Sequence, residues 1–210
     1  MDTSVKILLM PRPSAAAATD TPARILDIAE RLVQRRGFNA FSYADVAKEL
    51  KITTASLHYH FAGKGALGQA LIARYAERFM AALNVIDAKQ PDAVTKLNAY
   101  ADLYAGVLNG KRMCLCGMLA AEYSTLPKPM RDAVLRFFDD NEVWLAKVAA
   151  EGREAGTLSF AGEPLDAARV LLSGLEGAML VARPYDDVAR FRSAASHLIG
   201  GMQRREPVAV

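Results

Sequence analysis

Cysteine and histidine are scarce in this sequence, which limits the metal and disulfide chemistry that it can support. The 210 residues include two cysteines, Cys114 and Cys116, and three histidines. A disulfide framework requires several paired cysteines, and a structural zinc site requires four cysteine or histidine ligands. Two of the histidines, His58 and His60, stand in a short helical motif of their own. We therefore predict neither a metal site nor a disulfide-stabilised fold.

Long apolar runs and the common catalytic fingerprints are also absent. No apolar run reaches the roughly 20 residues of a membrane-spanning helix, and the first residues lack the apolar region and cleavage site of a secretion signal. A G-x-S-x-G nucleophile elbow, a phosphate-binding loop and a dinucleotide fingerprint are missing as well. We expect a cytoplasmic protein with no membrane partner, no cofactor and no catalytic residue. An enzyme that uses a pocket in a helical body is the distant alternative.

Alternating runs of β-branched residues, which predict strands, are missing too, whereas apolar residues recur at helical spacing along most of the chain. The first such segment has one apolar face and is followed by Gly37, a candidate left-handed cap. The pattern predicts an all-α protein with about nine helices. Residues 1–20, which contain two prolines and an alanine run, predict a disordered arm.

Positive charge is concentrated in one part of the chain. Residues 21–65 contain seven Lys/Arg and four Asp/Glu, whereas residues 1–20 and residues 66–210 each contain equal numbers of the two kinds. The whole net charge of +3 therefore falls within residues 21–65. A basic excess confined to one segment favours nucleic acid as the partner of that segment.

The same segment contains a motif that predicts two short helices joined by a tight turn. Ser42 and Asp45 have the spacing of a helix N-terminal capping box, and Thr53 is a candidate cap for a second helix over residues 54–60. Lys51 lies in the turn, where a left-handed backbone would cost about 1 kcal/mol without glycine. The second helix has hydroxyls at its start and aromatic and imidazole groups further along, which suits a DNA major groove. A short amphipathic helix with a merely solvated polar face is the alternative.

Residues 21–79 resemble the N-terminal domain of the tetracycline-repressor-like (TetR) family of bacterial transcription regulators. The residues that carry the resemblance are ARILDIAERLVQRRGFNAFSYADVAKELKITTASLHYHFAGKGAL. The chain departs from the family at Lys51, where many members have glycine, and at His58, where many have tyrosine. It also has Gly65 where an acidic residue is usual.

The resemblance implies a domain organisation and a set of partners. It implies a three-helix helix-turn-helix DNA-binding domain over residues 21–66, a linker helix over residues 64–88, and an effector-binding and dimerisation domain over residues 89–206. It also implies a homodimer that binds double-stranded operator DNA as a repressor and releases it when an unknown small-molecule effector binds. The residues that match the family's DNA-contacting positions are Ser42, Tyr43, Thr53, Thr54, Ser56, His58, Tyr59, His60 and Lys64.

Two helices near the end of the chain carry apolar residues at alternating spacings of three and four. In the family the last two long helices form the twofold dimer interface, and we expect the same of these two. The predicted interface residues are Leu165, Ala168, Leu172, Leu175, Val188, Phe191, Ala195, Leu198 and Met202. The alternative is that both apolar faces are used inside one chain.

An effector pocket is expected among the helices of residues 92–181. Soft or aromatic side chains can line such a pocket, although each is also an ordinary core residue. Glu176 is a sharper candidate, because a carboxylate on an apolar helix face needs a partner or a cationic ligand. The candidates are Tyr100, Tyr104, Cys114, Met118, Tyr123, Phe137, Trp144, Glu176 and Met179.

The two cysteines suggest a second way to control DNA binding. Lys111 and Arg112 precede Cys114 and Cys116 at a predicted helix start, and both positive charge and a helix start favour the thiolate. A regulator that senses oxidants or electrophiles is therefore the alternative to a ligand-responsive one. Buried, inert cysteines are the simpler interpretation, since cysteine is among the most often buried residues.

Overall fold

The computed structural model describes residues 21–204, and within these residues the chain folds into nine α-helices and two short 3₁₀ turns. The prediction of an all-α fold with about nine helices is confirmed; the predicted arm over residues 1–20 lies outside the described part. The helices are α1 (Thr21–Arg36), α2 (Tyr43–Leu50), α3 (Thr54–His60), α4 (Lys64–Lys89), α5 (Ala93–Asn109), α6 (Leu115–Ala121), α7 (Lys128–Glu154), α8 (Pro164–Ala182) and α9 (Val188–Gly200).

The described residues divide into two compact units. The first comprises residues 21–77 and Arg112–Leu135, and the second comprises Arg78–Lys111 and residues 136–204. Helices α4 and α7 each begin in the first unit and continue into the second. In this division α6 and the start of α7 pack with the N-terminal helices rather than with the later ones.

The first unit is built on the apolar face of α1. Ile25, Ala29 and Val33 are fully buried on this face, and Leu57 of α3 and Leu67 of α4 are fully buried in the same unit. Gly37 ends α1 with φ +92° and its N–H donates to the carbonyl of Val33 at 2.8 Å. The spacing of apolar residues in the sequence therefore predicted this helix and its end correctly.

The side chain of Arg74 joins α4 to α1 through hydrogen bonds. Arg74 donates to Asp27 at 2.8 Å, to Glu30 at 3.1 Å, and to the carbonyl oxygen of Ala23 at 3.3 Å. Glu30 is 3% exposed, so its carboxylate lies almost entirely out of water and depends on such donors. The contact fixes the direction in which α4 leaves the helix-turn-helix.

The second unit contains an aromatic core whose rings come from α4, α5 and α7. Phe79 lies edge-on to the rings of Tyr100, Tyr104 and Phe137 at centroid distances of 5.3–6.1 Å, and Trp144 stacks on Tyr100 at 5.6 Å. Such edge and offset contacts are the favourable arrangements of aromatic pairs. Helix α8 packs against α9, and both pack against α5.

The residues expected between two chains lie largely inside one chain. Five of the nine are at most 4% exposed in the single chain: Ala168, Leu172, Leu175, Phe191 and Ala195. A Cβ atom on Gly174 would lie 2.8 Å from Cδ1 of Leu198, so α8 and α9 approach closely within the protomer. These five side chains offer little surface to a second chain, and the dimer interface expected on α8 and α9 stays a prediction.

Candidate nucleic-acid interface and regulatory core

Helix α2 begins in a complete capping box. The hydroxyl of Ser42 accepts from the N–H of Asp45 at 3.3 Å, and the carboxylate of Asp45 accepts from the N–H of Ser42 at 2.7 Å. The Ser42 hydroxyl also donates to Oδ2 of Asp45 at 2.7 Å, and this bond, followed by that from the Ser42 N–H, holds the pKa of Asp45 below its usual value. The cap fixes where α2 starts and leaves its N-terminal end open to solvent at Ser42.

The turn between α2 and α3 contains one residue with a left-handed backbone. Lys51 has φ 58° and ψ 41°, and its N–H donates to the carbonyl of Lys48 at 3.4 Å. Thr53 then caps α3, its hydroxyl accepting from the N–H of Ser56 at 3.2 Å. The tight turn therefore forms without glycine, at the cost in backbone strain expected for a lysine.

Helix α3 presents a largely exposed outer face. Tyr59 is 86% exposed, and Thr54 and His58 are exposed as well, whereas Leu57 on the opposite face is fully buried. Ser56 and His60 are half-buried. A short helix held by its buried face, with hydroxyl, imidazole and phenol groups pointing outward, has the chemistry of a major-groove element.

Tyr43 connects the start of α2 to the end of α3. Its hydroxyl donates to the carbonyl oxygen of Phe61 at 3.0 Å, and its ring lies 4.8 Å from that of His58. Burial raises the pKa of the Tyr43 phenol, so the group stays a neutral donor. The ring of His58 is further held by a contact of 3.3 Å between Nδ1 and the carbonyl oxygen of Ala62. The pair orients the imidazole on the exposed face.

Lys64 opens α4 beside the same surface. Its ammonium lies over the rings of Phe38 and Phe41, at 4.8 and 4.6 Å from the centroids. Partial burial lowers the pKa of Lys64, while the charges of Glu122 and Asp45 act in the opposite direction. The lysine is thus a cation held in place on aromatic faces rather than a freely moving surface charge.

The second unit contains a buried neutral hydrogen-bond network within its aromatic core. The hydroxyl of Tyr100 donates to Oδ1 of Asn141 at 2.9 Å and lies 3.2 Å from the hydroxyl of Tyr104. The amide of Asn141 donates to the carbonyl oxygen of Phe137 at 2.7 Å. Tyr100 and Asn141 are both fully buried, so these hydrogen bonds are made out of contact with water.

The residues expected to form an effector pocket are divided between the two units. Four of them lie together in the aromatic core of the second unit, and Glu176 and Met179 lie on α8 of that unit, half-buried and buried respectively. Cys114, Met118 and Tyr123 lie in the first unit, and Tyr123 is 36% exposed beside Arg131. The four that the structure brings together are Tyr100, Tyr104, Phe137 and Trp144.

Both cysteines are buried thiols at the start of α6. Cys114 caps the helix, its sulfur accepting from the N–H of Gly117 at 3.5 Å and from the hydroxyl of Tyr75 at 3.7 Å. Cys116, two residues later, is the second residue of the helix and is fully buried. Two donors directed at the sulfur of Cys114 favour its thiolate, whereas burial opposes it.

Comparison with known proteins decides the family. Residues 25–71 match the family model described as bacterial regulatory proteins of the tetR family, and residues 93–198 match the tetracyclin repressor-like C-terminal domain. The chain belongs to the TetR family. Its members are DNA-binding transcription regulators, so the helix-turn-helix predicted from the sequence is confirmed.

Three relatives of this TetR-family protein span nearly the whole chain. The transcriptional repressor NemR of Escherichia coli K12 is 28% identical over 188 residues, 85% of this chain and 92% of NemR. Regulators from Agrobacterium tumefaciens and Legionella pneumophila have similar structures, with TM-scores of 0.84 and 0.81 and identities of 29% and 31%. These cover 87% and 89% of this chain and 97% and 100% of theirs. The E. coli NemR structure described as the reduced form has a TM-score of 0.76.

Two residues of the TetR-family chain were missed by sequence reasoning. Asn141 could have been found, because it is a polar residue four positions after Phe137 on the apolar face of α7. Glu122 had no local signal, since the backbone groups that it binds, at Phe38 and Asn39, lie more than eighty residues earlier in the sequence.

Within residues 21–204, no group of three or more histidine, cysteine, aspartate or glutamate side chains is arranged to hold a metal ion. No helix in that range is both long and apolar enough to cross a membrane.

Proposed function

We propose that this TetR-family protein is a homodimeric repressor that binds a near-palindromic DNA duplex and releases it when a small molecule binds. The observation that carries the proposal is the exposed outer face of α3, held by a capped, tight turn and by the packing of Leu57. Two copies of such a helix, one DNA turn apart, would read two half-sites. We assign the protein no catalytic turnover, because its relatives are named as transcriptional repressors.

The residues of the interface divide into those that read bases and those that set the position of the protein. Thr54, Ser56 and His58 point from the start and middle of α3 and are suited to base edges. Phosphate contacts fit the remaining hydroxyl, imidazole and ammonium groups, which lie at the end of α3 and at the starts of α2, α3 and α4: Ser42, Tyr43, Thr53, Tyr59, His60 and Lys64.

Helix α8 has an exposed apolar surface that a second copy of the chain could contact. Val170, Leu180 and Val181 of this helix are 57–67% exposed, on the side away from the residues that pack against α5 and α9. Leu165, Val188, Leu198 and Met202 also retain partial exposure. We propose that a dimer covers these residues rather than the buried apolar faces of the two helices.

The aromatic core of the second unit is the proposed effector site. Its residues are aromatic, and its hydrogen-bonding groups are neutral phenol and amide groups. A site of this composition favours a largely apolar ligand that carries one or two uncharged polar groups. Glu176 and Met179 lie on α8 of the same unit, the helix proposed to contact the second copy. A ligand that touched them would therefore act on the proposed dimer interface.

The first test is selection of bound duplexes from a random library, with affinity measured at two salt concentrations. We expect a two-half-site palindrome and a steep loss of affinity with salt. Substitution of His58 by alanine should change the preferred sequence, with Lys51→Ala, in the turn, as a control that leaves the preference unchanged. The absence of any enriched sequence with a folded dimer would contradict the proposal.

A second candidate for the control of DNA binding is modification of Cys114. Two donors surround its sulfur, and the E. coli NemR structure described as the reduced form shows that redox state was distinguished for that relative. Addition of the thiolate to an α,β-unsaturated carbonyl would form one S–C bond, and the resulting enolate would take a proton from water. The added bulk at a buried helix cap would displace α6.

Cys116 provides a matched control for this candidate, because it is a second buried thiol in the same helix. Cys114→Ser should keep its affinity for the selected duplex and no longer release it on treatment with such an electrophile, whereas Cys116→Ser should release it like the wild type. Release by both variants to the wild-type extent would exclude the cysteine mechanism and leave the ligand-responsive one.

A further inference from the structure

The connection between α1 and α2 is bonded to a carboxylate from the segment that follows α6. Oε2 of Glu122 accepts from the backbone N–H of Phe38 at 2.5 Å, and Oε1 accepts from that of Asn39 at 3.2 Å. Hydrogen bonds from backbone N–H groups to an ionised carboxylate are stronger than those between neutral groups. The contact therefore restrains the short connection that sets where α2 begins.

Gly37 gives the carboxylate the room that it occupies. A Cβ atom at this position would lie 2.7 Å from Oε1 of Glu122, so a side chain here would push the carboxylate out of its place. The backbone of Gly37 is also left-handed, with φ +92°, which favours glycine by itself. Backbone conformation and close approach thus both favour glycine where the carboxylate sits.

A second contact joins the same two segments. Nδ2 of Asn39 donates to the hydroxyl of Thr125 at 2.8 Å, and that hydroxyl donates to the carbonyl oxygen of Glu122 at 2.8 Å. Further back, the N–H of Met113 donates to the carbonyl oxygen of Gln34, near the end of α1, at 3.1 Å. The segment from Met113 to Thr125 is therefore bonded at both of its ends to the end of α1 and the turn after it.

The Lys64 ammonium and the start of α2 are both expected at the DNA, and the positions of both depend on this turn. Phe38 packs edge-on against Phe41 at 5.7 Å, and the ammonium of Lys64 lies over both rings. Ser42, the cap of α2, follows Phe41 directly in the chain. A displacement of the Phe38 backbone would therefore move both the aromatic rings that contact Lys64 and the start of α2.

We propose that Glu122 is a positioning residue for DNA binding, which holds the Gly37–Asn39 turn and through it the start of α2 and the Lys64 ammonium. The inference rests on the proposed binding of operator DNA. It assigns a role in DNA recognition to a residue outside the helix-turn-helix, within the part of the chain that matches the C-terminal family domain.

The direction in which Glu122→Gln changes the affinity for DNA distinguishes a positioning role of Glu122 from a general electrostatic effect of its charge. Replacing Glu122 by glutamine removes a negative charge from the unit that meets DNA, and long-range attraction alone would then make binding tighter. Loss of positioning makes binding weaker. We expect Glu122→Gln to weaken operator binding about tenfold, the effect of losing one charge-assisted hydrogen bond.

The experiment compares Glu122→Gln with Glu163→Gln in the full-length protein. Glu163 precedes α8 in the second unit and its side chain makes no capping hydrogen bond. Affinity for the selected duplex is measured at three salt concentrations, at a temperature well below the midpoint of thermal unfolding of every variant. Amide hydrogen exchange at Phe38 and Asn39 is measured without DNA, as a direct readout of the turn.

Faster exchange at Phe38 and Asn39 together with weaker binding in Glu122→Gln, and neither change in Glu163→Gln, supports the proposal. Unchanged or tighter binding by a folded Glu122→Gln protein overturns it. Thr125→Val is the second variant, which removes the partner of Asn39 without a change in charge and should also weaken binding. If the wild-type protein selects no duplex, the operator function itself fails, while the exchange data report separately whether the contact forms.

Discussion

Ion pairs join distant segments in both compact units, but the buried polar groups of the two units differ: the first buries the carboxylate of Glu30, and the second buries the amide of Asn141. In the first unit, charged side chains join segments that are distant in sequence, as when Arg74 binds Asp27 and Glu30 or when Glu122 binds the turn after α1. In the second, aromatic rings surround a neutral hydrogen-bond network. Charged contacts respond to salt and to nearby phosphates, whereas a buried aromatic core responds to the size and shape of what it encloses. The difference is consistent with the proposed function, in which the first unit binds DNA and the second binds a small molecule.

The largest effect is expected from the network of the second unit. Asn141→Ala removes the acceptor of the Tyr100 hydroxyl and leaves a cavity among the aromatic rings. We expect the free energy of unfolding to fall by about 3 kcal/mol, measured by urea denaturation at fixed protein concentration. Asn98→Ala is the control, because that amide makes the same bond to the carbonyl four residues earlier, to Val94, at an exposed position. A loss of about 0.5 kcal/mol or less is expected there, and equal losses would contradict a special role for the buried network.

A smaller effect is expected from the charged contact of the first unit. Arg74→Met removes the guanidinium from the buried carboxylate of Glu30 and should lower the free energy of unfolding by about 2 kcal/mol. Arg192→Met, which breaks an exposed pair with Asp102 in the second unit, should cost less than about 1 kcal/mol. Denaturation at low and high salt tests this difference in burial: salt should reduce the cost of Arg192→Met more than that of Arg74→Met, because salt screens exposed ion pairs more than buried ones. An equal salt response of both variants would show that the pair of Arg74 and Glu30 is not shielded from the solvent.

At the DNA surface the expected effect is on binding rather than on stability. Lys64→Met should weaken binding to all duplexes alike and reduce the slope of log affinity against log salt by about 1, because the proposed phosphate contact of Lys64 is lost. Lys128→Met removes a more exposed lysine of the same unit, which pairs with Asp132 within α7. It should leave the salt slope unchanged. A change in sequence preference for Lys64→Met would instead show that the lysine reads bases.

The smallest effect concerns the turn of the helix-turn-helix. Lys51→Gly relieves a left-handed backbone and should raise the free energy of unfolding by about 0.5–1 kcal/mol. The same substitution inside α2, Lys48→Gly, should lower it by about 1 kcal/mol, because glycine weakens a helix interior. Thermal denaturation of the two variants therefore gives shifts of opposite sign. Shifts of the same sign would show that the turn is not strained.

Local sequence signals predicted most of the individual elements. The capping box of Ser42 and Asp45, the cap at Thr53 and the left-handed Gly37 are each confirmed at the residue expected. These features depend on neighbours within about four residues, which the sequence displays directly. The outward positions of α3 follow from the same periodicity, since burial of Leu57 fixes which side chains face solvent.

Other expectations depended on contacts that periodicity does not specify. The apolar faces of α8 and α9 were visible in the sequence, but not whether they pack within one chain or between two. The structure buries Leu172, Leu175 and Phe191 within the chain. A pattern of apolar residues states that a face must be covered and does not state by what.

The sequence by itself therefore determined the helical class, the helix-turn-helix with its caps, and the family to which the chain belongs. Only the tertiary structure decided that α6 and Glu122 join the DNA-binding unit, that Lys64 lies on two phenylalanine rings, and that Asn141 completes a buried network. The physical reason is the separation in sequence between the residues that are in contact. Caps and helical faces are set by residues a few positions apart, whereas these contacts join groups that the chain brings together only when it is folded.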